Sequence, residues 1–272
     1  MRGPQYEIVG ALFDFGSALR GCAQAPRVLR DKGLIKRLNS LIETGISISD
    51  GGDVISYEVS ESYSLSNSIT ALSTFSTRLM SRLEKSYDSG YTPVVIGGDH
   101  SISIPSVSAA SVHHRKLLGD EAELGLIWVD AHPDLGYPEA CPNVELHGMS
   151  VAHLIAHGDE KLTGLGGFYP KLRPENIFFI GLREVMACEK DLIKKHVMTA
   201  YTMTDIERLG IFQVCEEVFS QIRKKTSGFV VSFDIDACNP LEAPAVQYPE
   251  PGGLTYRESR VLMEYVAQSK DW

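Results

Sequence analysis

Three short clusters of ionisable residues stand where apolar runs stop. Gly97-Gly98-Asp99-His100-Ser101 follows residues 93–96, Asp130-Ala131-His132-Pro133-Asp134 follows residues 124–129, and Ser232-Phe233-Asp234-Ile235-Asp236 closes the run 229–233. An extended backbone turns side chains i, i+2 and i+4 to one side. Asp130, His132 and Asp134 are therefore expected to point together, as are Asp234 and Asp236. With His100 they make four carboxylates and two imidazoles at one sheet edge. Four carboxylates in a dry pocket repel and raise one another's pKa, a conflict that two divalent cations remove. Oxygen and nitrogen ligands without sulfur suit an ion such as Mn²⁺ better than structural zinc. Paired ions about 3.5–4 Å apart acidify a shared water and orient it for attack near neutral pH.

Each cluster alone says less. A single D-x-D could be a glycosyltransferase metal site, a solvated turn or a strand-end cap, and GGDHS could be only a tight turn into a helix. The pentad Asp130–Asp134 would leave three desolvated groups unpaired. All three clusters in this order, each at a strand end, point to metal chemistry.

The elements that must carry these clusters are short runs rich in Val, Ile and Phe at 6–13, 93–97, 124–129, 176–182, 197–203 and 229–233. Little polar alternation within them implies burial on both faces, the mark of a parallel sheet covered by helices. Helical patterns fall at 25–38, 66–86, 205–211 leading to 225, and 256–268. Asp205 is expected to act as an N-cap, and Thr255 with Glu258 to form a capping box. Strand–helix alternation over residues 1–272 reads as one doubly wound α/β domain without internal repeats. The Ser-rich stretch 46–76 is the least periodic and reads as a solvated connection followed by a surface helix. Pro-rich loops at 136–145 and 241–253 each follow an acidic cluster, where ligands of open parallel sheets bind.

Bulk properties agree. The chain has 272 residues, 43% apolar and 22% charged, with 26 basic against 35 acidic residues and a net charge of −9. That is a globular composition lacking the basic field that nucleic acid or an anionic membrane would require, and it suits a soluble enzyme that takes up cations. No apolar run approaches membrane-spanning length, and the first residues lack a signal-peptide core. Cys22, Cys141, Cys188, Cys215 and Cys238 are scattered and odd in number, so neither a disulfide scaffold nor a zinc–thiolate site is expected, and the cytoplasm is the expected compartment.

With these motifs, the sequence resembles the ureohydrolase family, and within it the arginases. The resemblance runs from Gly10, Asp14-Phe15-Gly16 and Arg20-Gly21 through the three clusters and His147-Gly148-Met149 to Gly252–Glu258. It implies a three-layer α/β/α fold with a mainly parallel sheet and two Mn²⁺ per chain. One ion would take His100, Asp130, Asp134 and Asp234, the other His132, Asp130, Asp234 and Asp236. Asp134 would also act as a catalytic group toward the attacking hydroxide, with His147 shuttling protons to solvent. The implied reaction is attack on a guanidinium carbon, releasing urea and an amine. A homo-oligomer, trimer or hexamer, is implied as well.

Several positions depart from the arginase pattern. Where Asn and Ser side chains hold the substrate's carboxylate, this chain has Gly136, Asn143 and Glu145. Met186 replaces an acid that meets the α-amino group, while Glu189 is retained. Gln247-Tyr248 stands for Gly-Thr, and Asn239 for an Asp. The resemblance also implies a further strand, bearing a guanidinium-clamping Glu, and a last helix; neither is found before Trp272, so the C-terminal strand and helix are expected to be missing. The expectation is a chain that binds metal but hydrolyses arginine poorly. Two alternatives accompany it: a hydrolase of another guanidino compound such as agmatine or guanidinobutyrate, and a non-catalytic metal-binding homologue. The remaining polar candidates read as structural: His113-His114 as a solvated helix end, His153 and His157 as packed or exposed, Cys141 and Cys238 as lacking a basic neighbour that would activate a thiol. Leu262, Tyr265 and Val266 form a core-facing helical stripe.

Overall fold

The computed structural model describes residues 4–41, 46–56 and 63–269. Its strands are β1 (Gln5–Leu12), β2 (Ser47–Ile55), β3 (Thr92–Gly97), β4 (Leu124–Val129), β5 (Ile177–Leu182), β6 (Thr199–Thr202) and β7 (Gly228–Phe233). Its helices are α1 (Ala25–Asp31), α2 (Leu34–Leu41), α3 (Leu65–Asp88), α4 (Ser103–Leu118), α5 (Ser150–Leu154), α6 (Glu160–Thr163), α7 (Ala187–Lys195), α8 (Met203–Leu209), α9 (Ile211–Lys225) and α10 (Tyr256–Gln268). Every strand pairing is parallel. The described strands form two sheets, a three-stranded one of order β2-β1-β3 and a four-stranded one of order β6-β5-β4-β7.

The apolar runs explain this arrangement. On β4, Ile127 and Val129 enter the core under α8, α9 and α10, while Leu126 and Trp128 enter the core on the opposite face with Val107 of α4, Val151 and Leu154 of α5 and Leu192 of α7. Phe178 and Ile180 of β5 join the first core, Ile177 and Phe179 the second. Alternation with apolar residues on both faces makes three α/β/α layers. A third cluster packs Val9, Ala11 and Phe13 against Leu72, Phe75 and Leu79 of α3.

Three features differ from the sequence expectation and one agrees. The run 25–38 is two helices, broken at Gly33, whose φ of 82° suits a residue without Cβ. The N-cap of α8 is Thr202, not Asp205: Thr202 Oγ1 accepts from the Asp205 N–H, and the Asp205 carboxylate accepts from the Thr202 N–H. In the Ser-rich stretch lies an edge strand, β2, and α3 buries Ile69, Leu72 and Phe75; the residues 57–62 of that stretch fall outside those described, as do the last three of the chain. The expected capping box of Thr255 and Glu258 is present on α10.

Candidate metal centre

Backbone pairing just beyond the strand ends fixes the acidic residues. The Asp130 N–H donates to Ile180 O of β5 (3.1 Å), and the Asp234 N–H donates to Val129 O of β4 (2.9 Å). Past those points the chain bends. Asp130, His132 and Asp134 converge through turns and not through a pleat: the His132 N–H donates to Asp130 Oδ1 (2.7 Å), and Asp134 has φ 47°. That left-handed conformation is uncommon for a residue with a side chain and is held by its surroundings; Asp134 O accepts from the N–H groups of Val151 and Ala152. Asp234 caps a short 3-10 turn at Ile235–Ala237, its carboxylate accepting from the Asp236 N–H (2.9 Å).

Six side chains meet here. His100 Nδ1 lies 2.9 Å from Asp130 Oδ2, 3.0 Å from Asp234 Oδ2 and 3.3 Å from Asp134 Oδ2. His132 Nδ1 lies 3.1 Å from Asp236 Oδ2 and 3.4 Å from Asp130 Oδ1. Two ligand groups result, His100–Asp130–Asp234 and Asp130–His132–Asp236, sharing Asp130. Asp134 approaches His100 without completing the first group, and Asp234 belongs to the first group only.

The donor set fits cations. His100 Nδ1, Asp130 Oδ2 and Asp134 Oδ2 are buried atoms without a hydrogen bond, although they lie within 3.3 Å of one another as His–Asp pairs. Buried polar atoms are rarely left so. Electrostatics tell the same story. Burial lowers the pKa of His100, but Asp234, Asp130 and Asp134 overcome it and hold the ring well above its ordinary value. Burial likewise works against charge on His132, yet Asp130 and Asp236 bring it to about 11. Burial raises Asp134, with repulsion from Asp130 adding to it, and burial with repulsion from Asp130 and Asp234 pushes Asp236 up to about 8. Asp130, also penalised by burial, is nonetheless held far below the usual carboxylate range by His100 and His132. Such a cluster needs positive charge to be neutralised.

The sequence expectation omits the supporting residues. Ser232 Oγ lies 2.8 Å from His100 Nε2, and the Trp128 indole stacks on the His100 ring with centroids 4.0 Å apart. Arg183 donates to the carbonyls of Asp236, Ala237, Cys238 and Glu250, pinning the turn that carries Asp236 to the 241–253 loop. Ser232 stands inside the third cluster and Arg183 at the end of β5, so position offered a signal; their bonds did not.

The substrate-side residues are placed as follows. His147 lies beside the cluster, its ring stacked on Tyr248 at 5.2 Å. Glu145 accepts from Ser17 Oγ (3.0 Å), Tyr248 Oη (3.0 Å) and the Ala18 N–H (3.2 Å), tying three loops together. Asn143 is exposed, with φ 65°. Glu189 is 3% exposed; its two oxygens accept from the N–H groups of Leu135 and Met186, and burial pushes its carboxyl up to about 7. A cysteine reading is corrected: Cys141 and Cys188 form a disulfide joining the 136–145 loop to α7, and their sequence separation of 47 is why spacing alone gave no hint of it. His153 is buried and bonded, and His157 stacks on Tyr137. His113 stacks on Tyr87.

A shared buried carboxylate between two histidine–aspartate groups, at the carboxyl rim of a parallel sheet in an α/β/α protein, defines the class: an α/β enzyme whose His/Asp clusters are able to hold metal. The chain belongs to the Arginase family, whose sequence profile matches residues 4–271, and so to the ureohydrolase enzymes. It is 34% identical over 267 residues to an arginase of Bacillus caldovelox, spanning 97% of this chain and 86% of that protein. It is 36% identical over 270 residues to an arginase of Staphylococcus aureus strain COL, spanning 97% and 85%. The solved Bacillus caldovelox arginase superposes with a TM-score of 0.88 at 33% identity, covering 100% of this chain and 88% of that one. The α/β/α fold expected from the sequence is thereby shown. No helix among the described residues is long and apolar enough to cross a membrane.

Proposed function

We propose that the chain is an arginase-type guanidino hydrolase that holds two Mn²⁺ ions and releases urea. One observation carries the reading: His100 Nδ1 faces three carboxylates without a hydrogen bond while Nε2 is engaged by Ser232. His100, Asp130, Asp134 and Asp234 would hold one ion, and His132, Asp130, Asp234 and Asp236 the other. When bound, the pair supplies a water acidified to near-neutral pH and placed for attack on a guanidinium carbon. The carboxylates give the site the negative field that draws in a delocalised cation. Asp134, buried and with Oδ2 3.3 Å from His100 Nδ1, would be the carboxylate that holds a proton at the site, and His147 would pass it toward solvent. Glu189 holds the loop after Asp134 and, with Asn143, borders the substrate.

A second reading keeps the ions and changes the substrate to a guanidine without an α-amino acid head, such as agmatine or guanidinobutyrate. Within it Glu145 favours agmatine over guanidinobutyrate, since its carboxylate stands 3.5 Å from His147 at the rim, where a substrate carboxylate would be repelled. The fold does not choose between them, because a formimidoylglutamase from Bacillus subtilis shares it at 20% identity with a TM-score of 0.74.

One experiment separates these. The chain is purified with Mn²⁺, bound metal is counted, and urea is measured from arginine, agmatine and guanidinobutyrate. Two ions with arginine turnover supports the first reading; turnover of another guanidine alone supports the second. Two ions without urea from any of them leaves a metal-binding homologue and rejects both. A single arginase-like domain over residues 1–272, assembling as a trimer or hexamer, goes with the reading and is tested by light scattering. So does a cytoplasmic location, although the Cys141–Cys188 bond removes the cysteine argument for it; alkylation of these thiols in fresh cell extract tests the point.

A further inference from the structure

His147 Nδ1 lies 3.2 Å from Gly16 O and 3.5 Å from Glu145 Oε2. Both oxygens only accept, so Nδ1 carries a hydrogen and Nε2 is the nitrogen left to exchange a proton. The same Gly16 carbonyl also accepts from the His147 backbone N–H at 3.1 Å, so one oxygen fixes both the main chain and the ring. Gly16 is itself held from the other side of its residue. Its N–H donates to Asp99 Oδ2 at 2.6 Å, and Asp99, 2% exposed, gives its other oxygen to the Ser101 N–H (3.0 Å) and hydroxyl. A Cβ at Gly16 would stand 2.6 Å from Asp99 Oδ1 and 2.7 Å from Ser101 Oγ, so a side chain there displaces the carboxylate. The stack on Tyr248 then holds the ring's face.

We propose that Asp99 is a positioning residue, acting through Gly16 to lock His147 in the Nδ1–H form with its ring fixed beside the cluster. The proposal rests on His147 as proton carrier in the reading above. Asp99 touches neither the substrate nor, in that reading, an ion. Its two oxygens each accept from a backbone N–H, and an asparagine can accept from only one of them, since its amide nitrogen would face the other donor. Asp99→Asn and Gly16→Ala therefore loosen the same carbonyl from opposite ends.

Both variants are measured as the Mn²⁺-loaded enzyme beside His147→Gln. The expected result is two ions per chain, kcat lower by about 10- to 100-fold as for a misplaced proton carrier, and KM within about twofold by the same reasoning. In the His147→Gln background the Asp99→Asn and Gly16→Ala effects should vanish, because both act through that ring. Effects that persist there, or kcat within twofold of wild type, overturn the proposal. Nitrogen NMR of the metal-free wild type reads the His147 ring directly: protonated Nδ1 supports the proposal, and protonated Nε2 overturns it. That measurement decides the matter even if a variant fails to fold. It also does so if no guanidine is hydrolysed, a result that would reject the proposed function instead.

Discussion

Ser232 Oγ sits 2.8 Å from His100 Nε2, across the ring from the nitrogen that faces Asp130, Asp134 and Asp234. Hydrogen bonding at one imidazole nitrogen fixes the tautomer and aims the other, and removing such a partner costs about 10–100-fold in metal affinity. Ser232→Ala is expected to weaken Mn²⁺ binding by that factor while the ion count at saturating metal stays unchanged. A calorimetric titration checks it; unchanged affinity would mean that the Trp128 stack alone orients the ring.

Asp130 belongs to both ligand groups and Asp236 to one. Asp130→Ala should therefore lose both ions and reduce urea release to background, whereas Asp236→Ala should retain one ion. Elemental analysis of the purified variants gives the counts. Equal loss in both variants would argue for a single ion bound by all six side chains.

The Cys141–Cys188 bond closes a long loop, with 47 residues of separation. By chain-entropy arithmetic a cross-link of that span contributes about 4 kcal/mol, and native bridges deliver about 2–5 kcal/mol. The Cys141→Ser, Cys188→Ser double variant should melt several degrees lower, at about 2–4 °C per kcal/mol for a chain near this size. Reductant should bring wild type down to the variant and leave the variant unmoved. Because the bond anchors the loop bearing Asn143 beside Glu189, KM for the substrate should rise more than kcat falls.

Legibility in the sequence followed burial. β4 and β5 are apolar on both faces and stand out as uninterrupted runs, so their ends, and the acids just beyond, could be located from composition alone. β2 could not: Ser49-Asp50-Gly51-Gly52-Asp53 has the composition of a turn, and it is a strand because β1 offers it backbone partners and Arg30 binds Asp50 and Asp53. α4 is legible only near its ends, as a turn into a helix at Gly97–Ser101 and a helix end at His113-His114, because Ser103, Ser108, Ala109 and Ser111 stand on its buried side where larger residues would mark a stripe. The metal cluster was legible because acids and histidines have few other reasons to end buried strands. Its geometry was less so: Asp134 at φ 47° and the turn at Ile235–Ala237 are set by tertiary contacts, and a pleated strand would have aimed these groups differently.

His153 offers a pH test outside the cluster. It is 1% exposed, with Nδ1 2.8 Å from Met149 O and Nε2 accepting from the Asp159 N–H at 3.2 Å, a pair of bonds that only the neutral ring can make. Burial lowers its pKa below the ordinary 6.5, more than the Met149 carbonyl and Asp159 raise it. The unfolded chain then binds a proton near pH 6.5 that the folded chain refuses. Stability from this group is complete above that pH and is lost as pH falls toward the lowered folded value, by at most about 1.4 kcal/mol per pH unit. His153→Gln can keep both bonds without titrating, its amide nitrogen donating to Met149 O and its oxygen accepting from Asp159. Urea denaturation of both proteins at pH 7, 6 and 5 should show the wild type losing more stability than the variant below pH 6.5. The carboxylates and metal ligands titrate in both, so their contribution cancels in the difference; parallel pH slopes would show that His153 takes up its proton inside the fold.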